Sequence, residues 1–127
     1  MKDACPCGSG RPYAGCCGRL HSGAEIAADA EALMRSRYAA YVLRLHEYLL
    51  ATWHPSTRPA ELALADDPTR WLGLDLRRHT VHDADHASVE FVARYRIAGR
   101  GHRLHELSRF VREDGRWYYK DGEFASG

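Results

Sequence analysis

Four thiols are the residues of this sequence best equipped for chemistry, and they stand together. Cys5, Cys7, Cys16 and Cys17 are all the cysteines of the 127-residue chain. Their pattern is C-x-C-x8-C-C. Thiolates are soft donors, and four of them hold zinc in a tetrahedron with Zn–S distances of about 2.3 Å. Pro6 has a fixed φ and no amide hydrogen, which stiffens a tight turn between the first pair. Gly8, Ser9 and Gly10 let the backbone reverse close to the metal, with amides aimed at the sulfurs. Residues 8–15 then form a loop that returns Cys16 and Cys17, and Gly15 and Gly18 relieve crowding around them. Arg11 and Arg19 offset part of the negative charge that four thiolates leave on one zinc. Four protein ligands leave no position for water, so one such zinc holds structure and performs no chemistry.

Alternatives stay open at this point. Two disulfides are sterically conceivable, although a bridge between the neighbours Cys16 and Cys17 is strained. His21 can replace one cysteine as a ligand. A redox site wants C-x-x-C near a helix start, and the sequence has none.

No charged segment leads into an apolar run at the start, so no secretory signal is expected and the expected address is the cytoplasm. Clustered cysteines in a reducing compartment more often bind metal than pair with one another. The stretch LMRSRYAAYVLRL is too short and too charged to span a bilayer. With 18 basic and 17 acidic side chains the formal net charge is +1. No global field therefore recruits nucleic acid or an anionic membrane, although a local basic patch is compatible with that balance. Hydrophobic residues make up 45% of the chain and charged ones 28%, as in an ordinary globular protein of one domain with a small appendage.

The elements that must position any site follow from periodicity. Between Glu25 and Leu45 the apolar residues Leu33, Met34, Tyr38, Tyr41, Val42 and Leu45 recur every three or four positions, which predicts one face of a helix. Asp29 is its expected cap. Arg35, Arg37 and Arg44 fall elsewhere on the helix and read as solvated or salt-bridged. A second short helix is expected at His46–Thr52, broken by Trp53-His54-Pro55, and a third at Pro59–Leu64. The period then changes to two. Strands are expected at about 71–82, at Val89–Ile97, at about 103–112 and at Trp117–Lys120. The turns between the last three are Ala98-Gly99-Arg100-Gly101 and Glu113-Asp114-Gly115-Arg116. Gly18–Glu25 is the one linker candidate. Helices first and an antiparallel meander after make an α+β domain, with a curved sheet wrapped on the long helix.

Two resemblances join this reading. C-P-C-G-S-G-x-x-Y-x-x-C-C resembles the SEC-C motif, the small zinc module also found at the C-terminal end of the SecA translocase ATPase. The last ligand there is often His, where this chain has Cys17. The stretches LMRSRYAAYV, YLLATWHPS, WLGLDL, VEFVARYR and HELSRFVREDGRWYYKDG resemble the YchJ family of small bacterial proteins. That resemblance implies residues 1–22 as a zinc knuckle and residues 23–127 as a cone-shaped domain like nuclear transport factor two, also called cystatin-like. It implies no activity. One departure is Leu107, which occupies a position where the family often has Arg.

Within such a cone, Trp53, His54, Trp71, Glu106, Ser108 and Phe110 are the residues expected at the mouth or in the cavity. Two functions compete. The first is a binding module with one structural zinc, its cone holding a small ligand or peptide. Its knuckle would meet a chaperone or the ribosome through Arg11, Tyr13, Arg19 and His21, by analogy with the SecA tail. Nucleic acid is expected only in a ribosomal context. The second is a small isomerase or dehydratase using His54 and Glu106 as acid and base, their pKa values shifted by burial. Each residue also has a plainer role: His54 as a cap or buried histidine, Glu106 in an ion pair with Arg94, Arg109 or another arginine, the tryptophans as packing. No nucleophile elbow, Walker sequence or dinucleotide fingerprint is present.

Overall fold

The computed structural model describes residues 4–60, 62 and 68–124. Three helices precede four strands: α1 (Cys17–His21), α2 (Ala30–Leu43), α3 (His46–Ala51), β1 (Arg70–Asp83), β2 (His86–Ile97), β3 (Arg100–Glu113) and β4 (Arg116–Phe124). The strands form one antiparallel sheet in the order β1-β2-β3-β4, so the α+β class holds. Among the described residues no helix is long and apolar enough to cross a membrane.

The core forms where the helical period of α2 meets the strand period of β2. Ala30, Leu33, Met34 and Tyr38 pack on Val89, Phe91, Ala93 and Phe110. Helix α2 starts five residues later than Glu25 because Asp29 caps it. Asp29 has extended backbone, and its carboxylate accepts the Ala32 amide at 2.8 Å. Asp29→Ala removes that bond and is expected to cost about 1 kcal/mol in urea unfolding.

Four expectations change. Gly18–Glu25 is not a linker throughout, because α1 continues to His21. Arg37 is not solvated: it is 5% exposed, inside the protein. The β2–β3 turn needs only Ala98 and Gly99, at φ 52° and 80°, and Arg100 already pairs with Ile97. Strand β4 runs beyond Asp121-Gly122 to Phe124, past a bulge opposite Arg109/Phe110. The expected helix at 59–64 falls largely on residues outside those described.

Candidate metal centre and cavity

The cysteine loop closes on itself. The Cys5 amide bonds Arg11 O at 2.9 Å, and the Gly8 amide turns back to Cys5 O at 3.2 Å. Gly8 adopts φ 80°, which glycine reaches without strain. Cys16 and Cys17 return at the start of α1. All four thiols are buried and none is in a disulfide. Their sulfurs lie within 4.8 Å of one another, with Cys7 and Cys16 at 3.6 Å. A tetrahedron with bonds of about 2.3 Å has edges of about 3.8 Å, so four sulfurs at this spacing can chelate one metal ion. The Ser9 hydroxyl lies 3.1 Å from Cys16 Sγ. The Cys17 thiol, bonded to Cys7, holds Cys7 well below the usual thiol range, and the same bond pushes Cys17 up. The cluster is a donor set ready to exchange protons for a cation.

This loop is docked on the body of the protein. Arg35 of α2 donates to Cys7 O at 2.9 Å, and the fully buried Ala39 packs on the sulfurs. His21 makes the second attachment. Its Nε2–H donates to Ser36 O at 2.8 Å, and its Nδ1 accepts from the Tyr13 hydroxyl at 2.6 Å. Ser36 gives its own proton to Leu33 O, so Tyr48 donates to Ser36 Oγ at 2.7 Å. The Tyr48 ring also meets His21 edge-on, with centroids 4.7 Å apart. With both ring nitrogens engaged, His21 stands outside the sulfur set. Of the four expected contact residues, Tyr13 and His21 thus bond inward. Arg19 binds Glu25 at 2.8 Å and Cys16 O at 3.2 Å, and Arg11 is exposed.

Burial lowers the His21 pKa from 6.5. The unfolded chain then binds more protons just below that value, and stability falls as pH falls. The contribution is full above pH 6.5 and is lost as pH passes through the lowered folded value. Between pH 7 and 5 the thermal midpoint of the native protein is therefore expected to drop more than that of His21→Gln, which cannot titrate; equal slopes would refute the assignment.

The second concavity lies between α2 and the sheet. It encloses about 260 Å³. Tyr38, Tyr41, Trp53, Trp71 and Tyr119 supply aromatic walls, and Glu106, Ser108 and Arg37 supply the polar groups. Glu106 accepts from Ser108 Oγ at 2.6 Å and more weakly from the Tyr119 hydroxyl at 3.5 Å. Burial and the Glu106 charge push the Tyr119 phenol up. Arg37 donates to Leu49 O at 2.8 Å and Thr52 Oγ1 at 2.7 Å. Its guanidinium carbon lies 5.1 Å from the Trp53 ring centre and 4.6 Å from that of Tyr119. Burial lowers the Arg37 pKa, but a guanidinium keeps its charge in proteins. The Trp53 indole N–H is buried with no partner among the described residues.

The structure thus brings Trp53, Trp71, Glu106 and Ser108 to one cavity. Phe110 is not among its walls; it is 2% exposed core and packs on Tyr119 at 5.8 Å. His54 is separated from Glu106. It lies in a surface groove with His82 and Lys120, where its Nδ1 accepts from the Ser56 amide and its Nε2–H donates to Glu113 at 2.5 Å. Among the described residues Glu106 has no arginine within ion-pair distance; Arg109 binds Asp121 and Glu123 instead.

Arg37 and Tyr119 also line the cavity; a charged residue on a helix and a tyrosine in a strand carry no local signal of that role. Gly122 stands beside it: a Cβ there would lie 2.4 Å from Glu106 Oε2. Its missing side chain makes the space that the carboxylate occupies.

Comparison with known proteins places these features in context. Residues 29–122 match the family model "YchJ, middle NTF2-like domain", and residues 1–19 match the SEC-C motif. A "UPF0225 protein" of Ralstonia nicotianae is 59% identical, covering 96% of this chain and 92% of its own. One from Methylibium petroleiphilum is 60% identical over 93% and 88%. The solution structure of a SEC-C motif containing protein from Rhodopseudomonas palustris superposes with a TM-score of 0.87, at 36% identity over 99% of this chain and 100% of that one. The crystal structure of another, from Psychrobacter arcticus, gives 0.81 at 30% identity, over 98% and 84%.

Proposed function

The chain belongs to the YchJ family, and from that premise we propose that it is a binding module: one structural zinc on the four cysteines braces α2, and the cavity behind α2 holds a small ligand. The carrying observation is the make-up of that cavity. Among the described residues it has aromatic walls, one carboxylate, one guanidinium and an unmatched indole N–H, and no imidazole lines it. Buried donors and acceptors among aromatic rings are the composition of a ligand pocket. At about 260 Å³ it suits a small molecule. Bound zinc would supply no reaction here, because all four positions are taken by protein. The thiols would stay reduced in the cytoplasm, which is where this reading puts the protein.

The isomerase or dehydratase reading loses its acid–base pair, since Glu106 lines the cavity and His54 lies in another groove. Native mass spectrometry of the gently purified protein tests the binding reading. The expected spectrum shows one zinc and a co-purifying small molecule, and Trp53→Ala or Glu106→Gln loses the molecule while keeping the metal. A cavity that takes up no compound from a fragment library, read by tryptophan fluorescence, would sink it. Contact of the knuckle with a chaperone or the ribosome is a narrower proposal, resting on Arg11 and the outward part of Arg19. Arg11→Glu/Arg19→Glu should then abolish co-sedimentation with ribosomes or capture of the chaperone, and unchanged capture would refute it.

A further inference from the structure

The groove that holds His54 carries a relay of polar groups that neither the metal centre nor the cavity uses. Thr57 N donates to His54 O at 3.1 Å, so His54-Pro55-Ser56-Thr57 is a β-turn with proline in its second position. The His54 amide bonds Tyr119 O at 2.7 Å, which fastens the turn to β4. Within the turn, Ser56 Oγ comes to 2.7 Å from His54 Nδ1. Glu113 reaches the other ring nitrogen from the end of β3, at 2.5 Å. Lys120 Nζ lies 2.5 Å from Ser56 Oγ. Lys120 falls in the β4 bulge opposite Arg109/Phe110, and a bulge re-aims the side chain it carries.

The groups themselves fix the direction of every bond. The Ser56 amide can only donate, and it lies 3.1 Å from His54 Nδ1. Nδ1 is therefore the lone-pair nitrogen, and the ring proton sits on Nε2 facing Glu113. A lysine ammonium has donors and no acceptor, so Ser56 Oγ accepts from Lys120 and keeps its own proton for Nδ1. Lys120 thus donates to Ser56, Ser56 to His54, and His54 to Glu113. A hydroxyl on an imidazole lone pair, with a carboxylate on the opposite N–H, is the arrangement of an activated serine. The two ring nitrogens exchange places relative to the serine proteases, and the proton path is the same.

Stability does not ask for these contacts. Thr57 Oγ1 bonds Lys120 O, and Arg58 bonds Trp53 O at 2.9 and 3.0 Å, so the turn is already held. Glu113 and Lys120 stand 59 and 64 positions from the residues they meet. The Glu113 carboxylate is exposed, and ion pairs at such positions stabilise little. The Tyr118 ring meets the imidazole edge-on, with centroids 6.0 Å apart. Ser56 is exposed, and His54 and Lys120 line a groove of about 660 Å³, which has room for a small substrate.

We propose that Ser56 is the nucleophile of a second site, one that hydrolyses small carboxylic esters. Ser56 Oγ bonds to the ester carbonyl carbon as its proton passes to His54 Nδ1. Glu113 faces the resulting imidazolium, and the Lys120 ammonium neutralises the oxyanion. His54 returns the proton to the leaving alkoxide as the C–O bond breaks. Water then loses a proton to Nδ1 and takes the acyl group from Ser56, which regains its proton. The products are an acid and an alcohol. Esters suit the site better than amides, because an alkoxide leaves more readily than an amine and one cation replaces the paired amides of a full oxyanion hole. The site is independent of the cavity ligand and of the metal.

The test uses the full zinc-loaded chain with p-nitrophenyl acetate and a fluorophosphonate probe. Peptide mass spectrometry should find the acetyl and phosphonyl adducts on Ser56. Ser56→Ala should abolish both adducts and slow ester hydrolysis at least about 100-fold, as should His54→Gln, which removes the general base. Lys120→Met should cost about 100-fold, and Glu113→Gln at least about tenfold. Ser56 and Glu113 are exposed, so their variants should keep the native thermal midpoint and the zinc. The proposal is overturned if neither reagent labels the protein, or if the adduct sits on Lys120, His54 or any residue other than Ser56. Native hydrolysis rates in folded Ser56→Ala or Glu113→Gln would overturn it equally.

Discussion

Cys16→Ser is expected to release the metal and undock residues 5–21 while the sheet stays folded. The core between α2 and β2 contains none of the cysteines, so that part of the protein does not depend on the metal for its apolar burial. The loop does. Among the described residues its buried apolar groups are the sulfurs, Leu20 and part of Tyr13, the sulfurs packed against Ala39 of α2, and segments this small need a staple to fold. Structural zinc in peptides of comparable size supplies about 10–16 kcal/mol of apparent binding energy. Only the share coupled to docking is lost by the whole protein. That share comprises the Arg35 bond to Cys7 O and the His21 bond to Ser36 O. At about 1.5–3 kcal/mol for a charged donor and about 1 for a neutral one, the loss is about 2.5–4 kcal/mol. Native mass spectrometry should show the loss of one zinc, and hydrogen exchange should show protection lost in 5–21 alone. Chelation of the native protein should reproduce both. A variant that retains one zinc and its thermal midpoint would refute the four-cysteine centre.

Arg37→Ala is the second large expected effect, about 3–5 kcal/mol of destabilisation. The guanidinium makes two short bonds, to Leu49 O and Thr52 Oγ1, and lies against two aromatic faces. Truncation leaves the buried Leu49 carbonyl without this donor, and each bond from a charged donor is worth about 1.5–3 kcal/mol. A desolvated cation–π contact adds about 2, and removing a buried charge returns part of its desolvation cost, which brings a gross loss of about 5–8 down to about 3–5 kcal/mol. A solvated arginine replaced by alanine changes stability by only about 0.5 kcal/mol in either direction. Urea unfolding at unchanged m-value therefore separates a buried from a solvated Arg37 without ambiguity. Arg37→Met fills most of the same volume and should recover part of the loss. It should also lose the co-purifying ligand if the guanidinium is what holds it.

The legible parts of this protein are those written in local chemistry. C-x-C-x8-C-C brings four soft donors within one loop's reach, so the metal-binding capacity can be read without any tertiary contact. The strand period of Val89–Ile97 and the Asp114-Gly115 turn marked the meander, because alternation and φ > 0 are properties of neighbouring residues. Asp29 was readable as a cap for the same reason. The docking of the knuckle was not readable. His21 and Ser36 are 15 positions apart, and a histidine near cysteines looks like a ligand until its two nitrogens are seen to be occupied.

The cavity shows the same division more sharply. Trp53, Trp71, Glu106 and Ser108 were recognisable as candidates from their types, but their assembly depends on strand register and on the helix opposite. His54, adjacent to Trp53 in sequence, lies in another groove. Gly122 comes beside the Glu106 carboxylate only through its register with Ser108. Sequence alone therefore determined the kind of fold, the donor set of the metal centre and the family, since these rest on residue types and short spacings. Tertiary structure alone decided which polar groups share a cavity and that Arg37 is buried. Those outcomes depend on long-range register, which sets charge against charge and aromatic against cation across strands and helices far apart in the chain.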